Sequence, residues 1–375
     1  MEIGWSTFNQ LVAGSNPARP TNFPFTINYL PGAGGLYPLK VYQVHGVDAR
    51  DHVVWQKRLR RDNWLVELQR CVPEGAEIGI EACAGAHHWG RELVARGYQV
   101  KLMAPQFVKP YVKSNKSDRN DAAAICEAMS RPSMRFVALK NTEQQDIQAV
   151  HRVRSELIKQ RTAKAKQIRG LVGEYGLVAP LGIHTLRKAL PCWLEDADNG
   201  LSSRFRRLLV GLAEDLRHLD ERIKMLNDEL ANMVKEMPAA QRLATLDGVG
   251  PTIATALVAA LGTGEGFNRG RDFAVTLGLT PKHQGTVGKD RILGISKRGD
   301  AYLRTLLIHG ARAAVYAAKG KTDPLSRWIN ALLERRHANV VIVALASKTA
   351  RMAWALLRHD RDYDADWSNA TAPAQ

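Results

Sequence analysis

Cysteine is scarce in this chain of 375 residues, and the few present carry no pattern. Cys71, Cys83, Cys126 and Cys192 are widely scattered and no Cys-x-x-Cys pair occurs, which argues against both a zinc knuckle and a disulfide framework. A reducing, cytoplasmic setting fits. No apolar run approaches the roughly 20 residues of a membrane span, and the start lacks the charged-then-apolar pattern of a signal peptide, so no membrane association is expected. Acid is also short: 37 Asp and Glu stand against 53 Lys and Arg, a formal net charge of +16 and a sequence pI near 9.8. Such an excess calls for a polyanionic partner, and with the membrane set aside that partner is nucleic acid. Hydrophobic content is 45%, which places the chain among globular proteins, and its length suits two or three domains with cores of their own.

Residues 1–38 differ from the rest. Gly14, Pro17, Pro20, Pro24, Pro31, Gly32, Gly34, Gly35 and Pro38 interrupt every period, and the segment is expected to be disordered. Val12–Thr21 resembles an accidental translation of a tRNA gene's 3′ end, as though flanking sequence had replaced the original start. Order is expected from about residue 39. Val41–Gly46, His52–Leu59, Glu77–Ala82, Tyr98–Ala104 and Met134–Leu139 read as strands. Asn63–Cys71, His87–Arg96 and Asp118–Met129 read as helices. Their alternation predicts an α/β domain over 39–140.

A second region, 141–237, reads as helical. Its first helix carries Arg152, Arg154, Lys159, Arg161, Lys164, Lys166 and Arg169 against a single acid, Glu156, which suits a nucleic-acid-binding surface. A break is expected at Gly170–Pro191. Beyond it, Leu209, Leu212, Leu216, Leu219, Ile223, Leu226, Leu230 and Met233 alternate steps of three and four, a heptad seam. Two packings satisfy that seam: a hairpin within one chain, or a coiled coil joining two chains. The third region, 238–360, also reads as helical, with 361–375 as a tail. Gly248-Val249-Gly250 ahead of the helix Thr252–Leu261 fits a helix-hairpin-helix turn approaching a phosphate, and equally a structural turn. A Gly-rich basic loop follows, holding Thr286, Lys289, Arg291, Ser296, Lys297 and Arg298 and suited to a DNA backbone.

Three carboxylates carry the chemistry. Glu81 ends the apolar run Glu77–Ala82, and Asp118 and Asp121 open a helix three residues apart, on one face. Carboxylates from a strand end and a helix start suit Mg²⁺ or Mn²⁺, hard cations that take oxygen ligands. The structural alternative is helix capping, for which Asp118 is well placed. His87 and His88, adjacent on a helix, read as packing residues, as do Trp328 and Trp354. Lys113 and Lys116, in the loop before the aspartate pair, suit phosphate contacts.

Glu81–Trp89, Met103–Lys116, Asp118–Ala122 and the block from Gly248 to Arg304 together resemble transposases of the insertion sequence 110 family, in its 1111 subgroup. The resemblance runs in order from about Val41 to 360. It implies a RuvC-like, RNase H-type first domain with four metal-holding acids, Asp-Glu-Asp-Asp, the last three at Glu81, Asp118 and Asp121. It also implies a helical coiled-coil middle, an α-helical C-terminal transposase domain bearing a nucleophilic hydroxyl, and DNA partners in the element ends and target. A structured guide RNA and a homo-oligomer, dimer or tetramer, are implied as well. Two departures stand out. Counting back from Tyr42, the first Asp falls at Leu36, which cannot bind a metal. The serine that many relatives place after Gly-Leu-x-Pro falls at Thr286, with Ser296 the nearest serine and otherwise a cap or loop hydroxyl. The expected function is therefore metal-dependent DNA strand cleavage and exchange. Two alternatives stand beside it: a disabled nucleic-acid-binding remnant, and a RuvC-like junction nuclease that forms no covalent link.

Overall fold

A computed structural model describes residues 24–29, 41–48, 50, 52–113, 117–286 and 289–364, with backbone alone at 24–29, 118, 286, 289 and 290. The chain divides into two compact units, 1–141 and 142–375, so the middle and C-terminal helices share one unit.

The first unit is mixed α/β. Strands β1 (Pro24–Tyr29), β2 (Val41–Val47), β3 (Val53–Arg60), β4 (Glu77–Glu81), β5 (Gln99–Met103) and β6 (Phe136–Val137) form one sheet in the order β3-β2-β1-β4-β5-β6. β1 pairs antiparallel with β2 and parallel with β4. It lies inside the segment expected to be disordered. Phe25, Thr26, Ile27 and Tyr29 are good strand formers, and backbone pairing on both edges outweighs the surrounding Pro and Gly. Helices α1 (Trp64–Cys71) and α2 (Ala86–Val94) and the short α3 (Pro105–Val108) connect the later strands, and α4 (Asp118–Met129) packs on β1, β2 and β4. The core holds Tyr42, Val44, Leu68, Ile78, Ile80, Leu93 and Leu102 around Trp64, whose ring stacks on Tyr42 at 4.7 Å between centroids.

The second unit opens with α5 (Thr142–Gly173), α6 (Ile183–Glu195) and α7 (Ser203–Glu236). The break expected at Gly170–Pro191 thus contains most of a helix. Leu186 and Leu190 bury one face of α6, and Pro191 removes only one donor from it. The heptad seam of α7 packs inside the chain: Leu209, Leu212 and Leu216 are buried with Ile168 and Val172 of α5 and Leu186 of α6. The C-terminal helices are α8 (Pro238–Ala244), α9 (Pro251–Leu261), α10 (Gly270–Thr276), α11 (Ala301–Ala317), α12 (Pro324–Leu333) and α13 (Ala338–Arg358). Between α10 and α11 the expected loop is a two-stranded ribbon, β7 (Pro281–Thr286) and β8 (Lys289–Ile295). It lacks apolar alternation, which is why its sequence reads as loop.

α13 is long and apolar enough to cross a membrane, contrary to the expectation that no such run exists. Val341, Ile342, Leu345, Ala346, Ala350 and Ala353 instead belong to the core that α13 builds with α9, α10 and α11.

A buried histidine ties three helices of this unit together. His151 on α5 is 3% exposed; its Nδ1 lies 2.9 Å from Tyr302 Oη on α11 and its Nε2 3.0 Å from Thr255 Oγ1 on α9. The Thr255 hydroxyl donates its proton to the Pro251 carbonyl at 2.8 Å, so Nε2 must carry the ring proton and Nδ1 accepts from the tyrosine. Burial, helped by the charge of Arg154, lowers the His151 pKa to about 4. The folded state therefore holds a neutral ring where the unfolded chain, with an ordinary value of 6.5, takes up a proton. The contribution is fully present above about pH 6.5 and is lost progressively toward pH 4, to the extent of about 3 kcal/mol. Thermal denaturation of wild type and His151→Gln across that range should show the steeper decline in wild type.

Candidate catalytic and nucleic-acid surfaces

Glu81 is the last residue of β4 and half-buried. Its charge is felt by Cys83, whose thiol is pushed up to about 12, first by burial and then by that carboxylate. Cys83 therefore stays protonated at neutral pH and is no nucleophile. The first turn of α4 supplies the other two acids. Ser117, not Asp118, caps this helix: its side chain accepts from the Asn120 N–H at 3.2 Å, and the Asp121 N–H donates to the Ser117 carbonyl at 2.9 Å. Asp118 and Asp121 then fall three apart in the first turn, where the helix dipole favours negative charge. Arg119, between them, is close enough to His45 of β2 to add to the burial that lowers that histidine's pKa. The opening turn of α4 is thus held over the middle of the sheet.

Leu36, where the count back from Tyr42 puts the first Asp, lies outside the described residues. β1 is the strand paired with β4, in a register that runs from Pro24 beside Glu77 to Ile27 beside Ile80. No carboxylate lies on β1. Among the described residues no three His, Cys, Asp or Glu side chains form a group able to hold a metal ion, the Asp118 side chain being outside that description. Asp48 accepts from the Arg50 and His52 backbone as a turn residue. His87 accepts from the Lys140 N–H and His88 packs on Trp89. Trp354 donates to the Gly264 and Phe267 carbonyls, and Trp328 packs under Lys348.

The cations divide into two groups. Lys113 pairs with Glu127 of α4 at 2.8 Å, and Lys116 lies outside the described residues. On α5, Arg154 donates to Asn227 at 2.6 Å, Arg161 and Lys164 pair with Asp220 and Asp215 of α7, and Lys159 meets Glu156 at 3.4 Å. Arg187 of α6 shares Asp220 with Arg161. Arg169 donates to the carbonyls of Ala179, Pro180 and Gly182 and to Thr185, closing the loop that leads into α6. Much of the basic helix therefore knits its own hairpin. Arg152, Lys159 and Lys166, seven apart, remain as one exposed stripe.

In the C-terminal helices, Gly248 has φ +78°, and a Cβ there would meet the Gly310 carbonyl oxygen at 2.4 Å. Its lack of a side chain is thus required by the packing of this turn on α11. A Cβ at Gly250, the N-cap of α9, would meet open space. Thr286 ends β7 opposite Lys289, joined through residues 287–288, at the tip of the ribbon. Ser296 sits half-buried at its base, where its N–H donates to the Thr280 carbonyl at 2.9 Å. Arg291, Lys297 and Arg298 are exposed.

Two family models match. One, described as a transposase, covers residues 43–176; the other, described as the transposase IS116/IS110/IS902 family, covers 240–325. The chain is 47% identical over 328 residues to a probable family 20 transposase of Pseudomonas aeruginosa, covering 86% of this chain and 96% of that one. It is 43% identical to the transposase for insertion sequence element IS1111A of Coxiella burnetii, covering 86% and 88%, and 39% identical to that for IS1328 of Yersinia enterocolitica, covering 84% and 92%.

Arg169→Ala should lower stability by about 2 kcal/mol, because three backbone carbonyls lose a charged donor. Lys166→Ala should leave stability within about 0.5 kcal/mol of wild type. Chemical denaturation of the two variants checks the division between knitting and exposed cations.

Proposed function

The chain belongs to the IS116/IS110/IS902 family of transposases, the enzymes of insertion sequences that act on DNA, and from that premise we propose how its own residues would carry the reaction. The first unit is RuvC-like, with Glu81, Asp118 and Asp121 as its acids. The supporting observation is that α4, which opens with two of them, packs on β1, β2 and β4, the strand that ends in the third.

Carboxylates at a strand end and a helix start are the donors Mg²⁺ or Mn²⁺ takes, so the acids fit a divalent ion by donor type. Such an ion, when bound, supplies charge neutralisation at a scissile phosphate. The Thr286 hydroxyl, at the end of β7, attacks phosphorus in line; Ser296 is the second candidate. The new bond joins the protein to the 5′-phosphate, and the departing 3′-oxygen takes a proton. A 3′-hydroxyl of the partner strand then reverses the link and frees the threonine. The work is positioning and electrostatics. Arg152, Lys159, Lys166, Lys289, Arg291, Lys297 and Arg298 hold phosphates of the element ends, the target and a structured guide RNA. The N-terminus of α9 at Gly250 offers backbone donors to a further phosphate. Since acids and hydroxyl lie in different units, a homo-oligomer, dimer or tetramer, can complete one site from two copies.

Glu81→Gln, Asp121→Asn and Thr286→Ala should each lower strand cleavage and covalent adduct formation on the element's junction DNA, with its RNA and Mg²⁺, by 10²-fold or more, on the order of losing a transition-state contact. An adduct retained by Thr286→Ala and lost by Ser296→Ala transfers the role to Ser296. A mixture of Glu81→Gln and Thr286→Ala regains activity if sites are shared between copies and stays inactive if they are not. Cleavage by the wild type with no adduct at all is the result of a junction nuclease.

One observation favours a second reading, the disabled remnant: β1, which pairs with the strand ending in Glu81, holds no carboxylate. Asn28→Asp adds a fourth acid and should tighten Mg²⁺ binding in calorimetry by about tenfold. If only that variant cleaves, the chain is a transposase disabled at this position. If both cleave alike, three acids suffice.

A further inference from the structure

The ribbon β7–β8 is rigidly mounted at its foot and exposed along most of its described blade. At its foot the Ser296, Lys297 and Asp300 N–H groups donate to the carbonyls of Thr280, Gly278 and Thr276 at 2.9, 3.1 and 3.2 Å. Arg304 of α11 reaches across to the Leu277 and Arg298 carbonyls at 2.8 and 3.0 Å. The segments flanking the ribbon approach so closely there that a Cβ at Gly299, where φ is +75°, would lie 1.8 Å from the Thr276 carbonyl oxygen. Above the foot, residues 281–285 and 291–294 are all exposed, Ile292 and Leu293 among them at 71% and 44%. An isolated two-stranded ribbon is marginal in water on its own, so this one owes its shape to the mount.

The pairing places Gln284 directly opposite Arg291, and Thr286 opposite Lys289 at the next step on the same side of the pleat. Neither the Gln284 amide nor the Arg291 guanidinium has a hydrogen-bond partner among the described residues. A side-by-side amide and guanidinium are the two groups that read base edges bidentately: Gln takes adenine N6 and N7, Arg takes guanine O6 and N7. The major groove of B-form DNA, about 12 Å wide, admits a two-stranded ribbon, whereas the A-form major groove of RNA is too narrow and deep.

We propose that β7–β8 is a base-reading blade that enters the DNA major groove beside the scissile phosphate, with Gln284 and Arg291 as specificity-determining residues. This rests on the DNA reading above, and it moves Arg291 from the phosphates to a base edge and adds Gln284, which sequence reasoning missed. Protein would then select one or two base pairs next to the cleaved bond, independently of any RNA pairing.

The test is binding rather than cleavage, so a chain inert in strand transfer still reports on the blade. The full chain, without RNA, is used to select from random duplex DNA at fixed salt, beside Gln284→Ala, Arg291→Lys and Lys297→Ala. Wild type should prefer particular adjacent base pairs. Gln284→Ala and Arg291→Lys should lose that preference by roughly 5- to 100-fold, the Arg291→Lys variant keeping the salt dependence of wild type. Lys297→Ala should weaken all duplexes alike. DNA binding with no base preference, uniform weakening by Arg291→Lys, or preference for duplex RNA overturns the blade. No binding to any duplex DNA overturns it together with the DNA reading beneath it.

Discussion

Everything in the first unit depends on the double pairing of β1. One edge runs antiparallel to β2 and the other parallel to β4. Remove it, and the sheet falls into a β2–β3 hairpin on one side and β4–β5–β6 on the other. It also sets the scale of the acidic corner, since α4 lies on β1, β2 and β4 together. The demand on this strand is almost wholly for backbone. Six residues with paired N–H and C=O groups satisfy the topology, whatever acid the chemistry would have asked of them.

The second unit solves a different problem, the storage of positive charge. A helix with Arg152, Arg154, Lys159, Arg161, Lys164, Lys166 and Arg169 along it repels itself unless something answers it. Asp215, Asp220 and Asn227 on α7 do so from across the hairpin, and the carbonyls of Ala179, Pro180 and Gly182 do so for Arg169. What survives as exposed charge on α5 is narrower than its composition suggests, the stripe of Arg152, Lys159 and Lys166.

Local signals were legible in the sequence where a single element decided them. Ser-Asp-Arg-Asn-Asp announced the start of α4 to the residue, and the apolar steps of three and four along α7 located that helix and its buried face. Partners across the chain were not legible. β1 hid among prolines and glycines because its pairing is with strands far along the chain. The ribbon hid because Lys282, His283, Gln284 and Gly285 show no alternation, and its exposed faces require none. The side-chain roles of the basic helix needed the acids of α7 facing it, which no reading of α5 alone supplies. Gly248 suited a phosphate approach and a structural turn alike, and its close approach to Gly310 was not legible from the turn alone. In the acidic corner the residue types were readable, while the strand that pairs beside β4 needed the sheet topology.

Asp220 is bonded to two guanidinium groups at once, from α5 and α6. A chain that drifted to a neutral residue there would not merely loosen its hairpin. It would unmask two arginines, adding indiscriminate adhesion to any polyanion in the cell at the moment it lost rigidity. The acidic positions of α7 therefore limit how much charge the chain exposes as well as holding its hairpin.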